Sequence, residues 1–437
     1  MADARVVLSN AQLIDGVGDP KSGAHLVIEG NTITAAGAGD AETRPDDRVV
    51  DLAGKTVMSG LVQGHFHSGF GPYPTLGAAP ILGLEAAPPY MGMVAAKNAQ
   101  IALQTGTTGI IGSSCGDNLD VCLREAMIMG LVQGPRIIAC GHEFMASGDM
   151  ADGMNRSWFM GIQHSGLTRR LDGAEEFRQA TREEIGRGCE IIKLSIAPGH
   201  GSSPVRDVCY LSREELEAVV GVAHDHGKLV RAHCPSRIGI LECARAGVDI
   251  IDHADRIDDE CIEAVVKSGA AITPSLLWST RFLQFAENWD YANGPFPIGE
   301  GFAETHDQVL ARLRGVREDF EYTCEQLPKM MEAGVSLVCG DDFGFAMMPH
   351  GDYVSEYEVY TKQMNLPALE VLRWASVNGA KVMAGPLGLD AGHGTLVAGQ
   401  RADLIVVDGD PVADISCLRD RIVGIVRDGE FIRDAIG

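Results

Sequence analysis

The sequence predicts an α/β protein: a (β/α)8 TIM barrel carrying a small β-sandwich domain formed by its two ends. Three observations predict it. Apolar runs of strand length recur eight times through the middle of the chain. Amphipathic helical patterns lie between most of them. Both ends read as short strands cut by Gly and Asp-Gly turns. Eight strands alternating with helices imply parallel pairing, and eight is the number that closes such a barrel. An open doubly wound sheet is the alternative, and the lack of a G-x-G-x-x-G after the first strand argues against it.

The elements follow in chain order. "ARVVLSNAQLID", "AHLVIEGNTITAAG" and "RVVDLAGKTVM" are β-rich, as are "GTLVAGQRADLIVVDGDP" and "RIVGIVRDGEFIRD" near the far end. Residues 1–57 and 388–437 are therefore expected to meet in one small sheet domain around a barrel of residues 58–387. The barrel strands are read at "VMSGLVQGH", "TTGIIGSS", "PRIIACGHEF", "CEIIKLSIA", "KLVRAHC", "VDIIDHAD", "AAITPSLL" and "VSLVCGDD". Helices are read at "MVAAKNAQIALQTG", "AEEFRQATREEIGRG", "SREELEAVVGVAHDHG" and "DDECIEAVVKSG", several of them stopped by Gly. Two inserts leave the C-terminal ends of strands, where a barrel builds its site: residues 68–89, and an aromatic-rich stretch from 276 to about 306 with Trp278, Phe282, Phe285, Trp289, Tyr291 and Phe296. Both are read as pocket walls or lids.

Composition bounds the function. With 437 residues and 45% apolar content, the chain has material for a sizeable core. A formal charge of −24 argues against nucleic acid and against anionic membranes, because phosphate binding needs clustered Lys and Arg. No uninterrupted apolar stretch of about 18 residues announces a membrane span. The eleven Cys include no C-x-x-C pair, which suits reduced thiols and a cytoplasmic location. No basic-then-apolar leader is read at the N-terminus.

Chemistry collects where the apolar runs end. His65 and His67 close the first, Lys193 lies in the fourth, His233 closes the fifth, His253 the sixth, and Asp341-Asp342 the eighth. Strand ends on one rim of a barrel converge in space, and imidazole with carboxylate suits zinc and other divalent transition metals. Lys193, flanked by Ile191, Ile192 and Leu194, is costly to bury charged. A desolvated neutral amine can take up CO2 to give a carbamate able to bridge two metals; a lysine paired with a carboxylate is the plainer alternative. A second H-x-H, His224 and His226, serves as a control. Side chains at i and i+2 share a face on a strand, as at His65 and His67. On a helix they diverge by about 200°. The second pair ends a helical pattern stopped by Gly227, where histidine favours the helix C-terminus without any metal.

Together these segments resemble the amidohydrolase superfamily over nearly the whole chain, in the imidazolonepropionase-like and Xaa-Pro dipeptidase (prolidase-like) subgroup with a carboxylated lysine. "KTVMSGLVQGHFH" resembles its entry strand, "IIKLSIAPGHGSSP" its lysine strand, and "GTLVAGQRADLIVVDGDPVADI" its C-terminal sheet segment. The resemblance implies two divalent ions, Zn2+ foremost with Mn2+, Co2+ or Fe2+ as alternatives. His65 and His67 would hold the first, His233 and His253 the second, with the Lys193 carbamate as bridge. Asp342, placed by the G-x-D pattern, would bind metal, take the proton from the attacking water and pass it to the leaving amine. The chain departs from the family at Asp341, where Thr or Ser is usual, at Gln63, and at "DHAD" in place of "EHG".

The implied activity is hydrolysis of an amide-like C–N bond in a dipeptide, N-acyl amino acid, or xenobiotic amide, urea or carbamate. A lactone or ester hydrolase would use the same centre. Lys193 argues against a mononuclear deaminase, and the filled ligand positions argue against a non-enzymatic scaffold. Phe70, Tyr73, His142, His200, Tyr210, Met347, Met348 and His350 lie just past strand ends and are candidate substrate contacts. The expected partners are a small, partly apolar substrate and further copies of the chain.

Overall fold

The computed structural model describes residues 5–71, 87–149, 166–201, 203–287, 306–345, 347–384 and 392–436. Strands from both ends of the chain join in one eight-stranded sheet. Val6–Ile14, Lys21–Glu29, Thr32–Ala38, Arg48–Asp51 and Thr56–Ser59 come from the N-terminal side. Leu404–Val407, Ile422–Arg427 and Glu430–Asp434 come from the C-terminal side. Thr56–Ser59 is the seam, parallel to Val6–Ile14 and antiparallel to Leu404–Val407. Leu8, Leu13, Leu26, Ile28, Val57, Leu404, Val406 and Val426 form this sheet's own apolar core.

The apolar run read as the first long strand is divided at Gly60. Thr56–Ser59 belongs to the end sheet, and Leu61–Phe66 opens the parallel strands. Gly60 allows the switch because the chain passes hard against Thr108: a Cβ there would lie 2.1 Å from Thr108 Oγ1.

Parallel strands then alternate with helices. Leu61–Phe66, Thr107–Gly112 and Arg136–Ile138 form one sheet. Cys140–Met145, Ile191–Ser195, Leu229–Cys234, Ile250–His253, Ala271–Thr273 and Ser336–Leu337 form another, with Thr168–Arg170 added beside Cys140–Met145. The third strand, interrupted at Ala139, serves both sheets. At the other end, Gly64 N–H donates to Cys339 O at 2.8 Å, so the eighth strand's exit lies against the first strand.

Side-chain alternation sorts these strands by face. Ile191, Leu229 and Ile250 pack together with Val62 and Ile111. Their neighbours Ile192, Val230 and Ile251 pack instead in the large core with helix residues such as Phe177, Val219, Ile240 and Val265. Lys193 shares the face of Ile191, Arg231 and His233 that of Leu229, and Asp252 that of Ile250.

The helices show the predicted Gly stops, and side-chain caps at their starts. Ser212 and Glu215 form a capping box at the start of Arg213–Asp225. Asp258 accepts from Cys261 N–H at 2.9 Å to open Asp259–Ser268, and left-handed Gly269 ends it. The insert after the seventh strand contains a helix, Leu276–Glu287, packed against the 28-residue helix His306–Ala333. Trp289, Tyr291 and Phe296 lie outside the described residues, as does Tyr73 of the first insert. All eleven cysteines are unpaired. Among the described residues no helix is long and apolar enough to cross a membrane.

Gly60→Ala is expected to destabilise the protein by about 1–3 kcal/mol in urea unfolding, because Thr108 cannot retreat within a packed layer. Gly18→Ala, with nothing within 4 Å of the new Cβ, is the control and should change stability by no more than about 0.5 kcal/mol.

Candidate metal centre

The H-x-H pair owes its aim to an irregularity. The ladder between the first two strands slips by one residue between Gln63 and Phe66. A bulge of this kind turns the following side chains to the other face. Without it His65 and His67 would lie opposite Val62, whose face carries the polar cluster. With it, His65 Nε2 and His67 Nε2 stand 3.1 Å apart. Asp342 Oδ1 is 2.8 Å from the first and 3.2 Å from the second. These three side chains offer donor atoms within 4.8 Å of one another.

A polar group stands behind each ring, hydrogen-bonded to His67 and more distant from His65. His67 Nδ1 donates to Ser114 O at 3.2 Å, which leaves the Nε2 lone pair towards the cluster. His65 Nδ1 faces Asp252 Oδ1 at 3.5 Å. Burial pushes His67 down to about 4. Burial opposes the charge on Asp342, yet His65 and His67 hold it well below the usual carboxylate range.

The two adjacent aspartates divide their work. Asp342 faces the histidines. Asp341 turns away and accepts from Trp278 N–H at 3.0 Å, at the start of Leu276–Glu287. Burial, with Asp342 beside it, pushes Asp341 up to about 7.

Asp252 lies beneath the cluster. It is fully buried and accepts from Lys193 Nζ at 2.6 Å, Arg231 Nη2 at 2.6 Å and Thr273 Oγ1 at 2.6 Å. Burial works against its ionisation, and Arg231 and Lys193 overcome this to hold it far below 3.8. Arg231 also donates to Gly64 O and Gly112 O, each at 2.9 Å. Lys193, an amine here, has Ser113 Oγ as a second acceptor at 3.1 Å. The ion pair with a carboxylate is thus the arrangement present.

On the other side stand His233, His253 and His200. Strand alternation alone would send Asp252 and His253 to opposite faces. His253 and Ala254 adopt left-handed backbone, with φ of +73° and +55°, and this lets both reach the site. His233 packs edge-on to His253 at 4.6 Å. His200 stacks on His253 at 3.7 Å. His200, His253 and Asp342 form a second set of donors within 4.8 Å, whereas His233 belongs to neither set. Burial, with Lys193 nearby, pushes His233 down to about 3, and burial with His200 nearby holds His253 well below its ordinary value. His233 Nε2 and both nitrogens of His253 are buried without a hydrogen-bond partner. Neutral imidazoles with orphaned nitrogens around a carboxylate are a donor set that fits divalent transition metals.

The predicted substrate residues separate. Phe70 stacks on His67 at 4.1 Å and meets Phe345 at 5.2 Å, with Trp278 against Phe345 at 4.6 Å, so an aromatic wall borders the centre. His142 is a correction. Its Nδ1 is 3.0 Å from Glu184 on helix Ala174–Gly186, on the face opposite the cluster. Its neighbour Glu143, in register with Lys193, takes the inward position, and burial pushes it up to about 7 despite Lys193. His350 is a second correction: Nε2 donates to His67 O at 3.1 Å and Nδ1 accepts from Tyr353 at 3.2 Å, so both nitrogens are used inside the protein. Tyr210 accepts from Arg206 at 2.7 Å. Met347 packs against the large core, and Met348 is wholly buried.

With this geometry in place, comparison with known proteins is decisive. The model of the amidohydrolase family matches residues 56–432. The chain belongs to the amidohydrolase family. Ochratoxinase of Aspergillus niger is 25% identical over 448 aligned positions, covering 96% of this chain and 84% of that protein. A crystal structure of a Xaa-Pro dipeptidase with methionine bound in its active site superposes with a TM-score of 0.81 over 98% of this chain and 100% of that one, at 24% identity. Phenylurea hydrolase B superposes with a TM-score of 0.75 at 19% identity, over 98% and 97% of the two chains. Family and neighbours support a hydrolase.

The control pair behaves differently. His224 Nε2 is 3.0 Å from Asp249, and His226 Nδ1 donates back to Val222 O at 2.8 Å. The hydrogen bond to Asp249 raises His224 above its ordinary 6.5. Its contribution to stability is present in full below the unfolded value and disappears as pH rises through the folded one. His224→Gln should therefore lower the urea midpoint at about pH 5.5 and leave it near wild type at about pH 9.

Proposed function

We propose that this chain hydrolyses an amide-like C–N bond with two divalent metal ions, at the C-terminal rim of a closed (β/α)8 barrel whose end domain comprises residues 1–57 and 388–437. The observation that carries this reading is the pair of donor sets that share Asp342: His65 and His67 on one side, His200 and His253 on the other. The orphaned nitrogens of His233 and His253 support it, since buried imidazoles left without partners are costly unless something binds them. Relatives named for dipeptide and phenylurea hydrolysis support a C–N bond as the target.

His65, His67 and Asp342 would hold one ion and His253 and His233 the other, with Zn2+ the first candidate. Lys193 would bridge them once CO2 had converted its amine, now paired with Asp252, to a carbamate. When bound, such ions polarise a carbonyl and lower the pKa of water to about 7. Asp342, held as a carboxylate by its histidines, is placed to take the proton from the attacking water and return it to the leaving nitrogen. Phe70, Trp278 and Phe345 line the approach with aromatic surface and favour an apolar substituent on the substrate.

Chelator-treated protein should lose hydrolysis of a panel of dipeptides, N-acyl amino acids, ureas and carbamates, and regain it with Zn2+, Mn2+ or Co2+. Asp342→Asn should cost about 10²–10⁴-fold in rate. Asp341→Asn, which keeps an acceptor for Trp278 N–H, should retain most of it. Full activity in metal-free protein, or an Asp342→Asn variant as active as wild type, would contradict the proposal.

A further inference from the structure

Resting on the two-metal reading above, we infer that His200 is a ligand of the second metal ion, pre-set by Asp255, so that this ion does not depend on the Lys193 carbamate alone. His200 stands just past the fourth strand, in Pro198-Gly199-His200-Gly201. Its φ is +64°, a left-handed backbone that is unfavourable for a non-glycine residue and persists only where the surroundings enforce it. The surroundings do. The next residue, Gly201, passes so close to Trp278 that a Cβ would lie 2.2 Å from its ring.

His200 is 3% exposed, and its Nδ1 lies 3.2 Å from each oxygen of Asp255, itself 1% exposed. Asp255 is fixed in turn, its backbone carbonyl accepting from Thr323 Oγ1 at 3.0 Å. An Nδ1–H donated to Asp255 leaves the lone pair on Nε2, and that atom is buried with no hydrogen-bond partner. A carboxylate behind an imidazole is the support that metal-binding histidines generally have, and it makes the ring a stronger donor.

His200 shares its donor set with His253 and Asp342. The His253 ring lies parallel to it, 17° apart in plane, so one ring must turn for both to address one ion. His253 is free to do so, since neither of its nitrogens makes a hydrogen bond, whereas Asp255 holds His200. Lys193 supplies the complementary reason. Its amine is engaged by Asp252 and Ser113. While it remains so, the second ion lacks the bridging ligand, and His200 provides a nitrogen in its place.

The test is metal uptake by the full chain. Apo-protein, His200→Asn and Asp255→Asn are titrated with Co2+ in CO2-depleted buffer, read by elemental analysis after desalting and by the Co2+ visible absorption band. Wild type should bind two ions per chain. His200→Asn should keep the first and bind the second about 10-fold or more weakly, with a changed band; Asp255→Asn should weaken the second by about 10–100-fold. If His200→Asn fails to fold, Asp255→Asn, which keeps the imidazole, decides alone. Wild-type affinity and spectrum in a folded variant would overturn the inference, even with a raised KM, because His200 would then contact substrate and not metal. Wild-type protein that binds fewer than two ions would overturn the two-metal reading itself, and this inference with it.

Discussion

One buried carboxylate ties the centre together. Asp252 accepts from Lys193, Arg231 and Thr273 and faces His65, so residues of the first, fourth, fifth, sixth and seventh parallel strands meet on one side chain. Arg231 extends the network to the backbone carbonyls of Gly64 and Gly112 on the first and second strands. Burying charge in this way is tolerable only when every member is paired, and removal of one partner leaves an uncompensated ion at a cost of about 3–5 kcal/mol. With Lys193 as an amine, the two side-chain donors and the carboxylate meet that condition through one another, Ser113 and backbone carbonyls. The candidate ligand histidines therefore rest on a rigid polar floor that aims their rings.

Above this floor, local departures from regularity do the aiming. A one-residue slip turns His65 and His67 inward. Left-handed backbone at His253 brings it to the same side as Asp252. Asp341 and Asp342 diverge because one caps a helix through Trp278 N–H and the other is drawn to two imidazoles. Each device is a small expense in backbone regularity that the surrounding packing enforces.

These devices explain what was legible in the sequence. The candidate histidines and the Asp341-Asp342 pair stood out because apolar runs of strand length end abruptly in polar residues, and Lys193 because it interrupts one; the preference for Asp342 came from the G-x-D pattern. The contrast between the two H-x-H pairs could be drawn from period alone, and His224, in Arg213–Asp225, and His226, just past its end, do take different partners. The meeting of the chain's two ends in one sheet was readable from their shared strand-and-turn character. The division of one apolar run at Gly60 was not, since both halves are equally apolar. Nor was the choice between His142 and Glu143: neighbours on a strand face opposite ways, and only the register with Lys193 decides which faces in. His350 was misread because a histidine past a strand end resembles a site residue until its two partners, His67 O and Tyr353, are seen. Asp252 carried one faint signal, a carboxylate in an otherwise apolar strand directly before a candidate ligand.

Family membership and the geometry bear on different things. The family brings a hydrolase; this chain's own residues bring the aromatic wall, the Asp252 floor and the two donor sets that share Asp342. Anomalous diffraction at the zinc edge, from crystals of the Zn2+-loaded protein, tests the two-metal centre most directly. Two peaks should appear on either side of Asp342, one against His65 and His67 and one against His253. A single peak, or none within reach of Asp342, would contradict it.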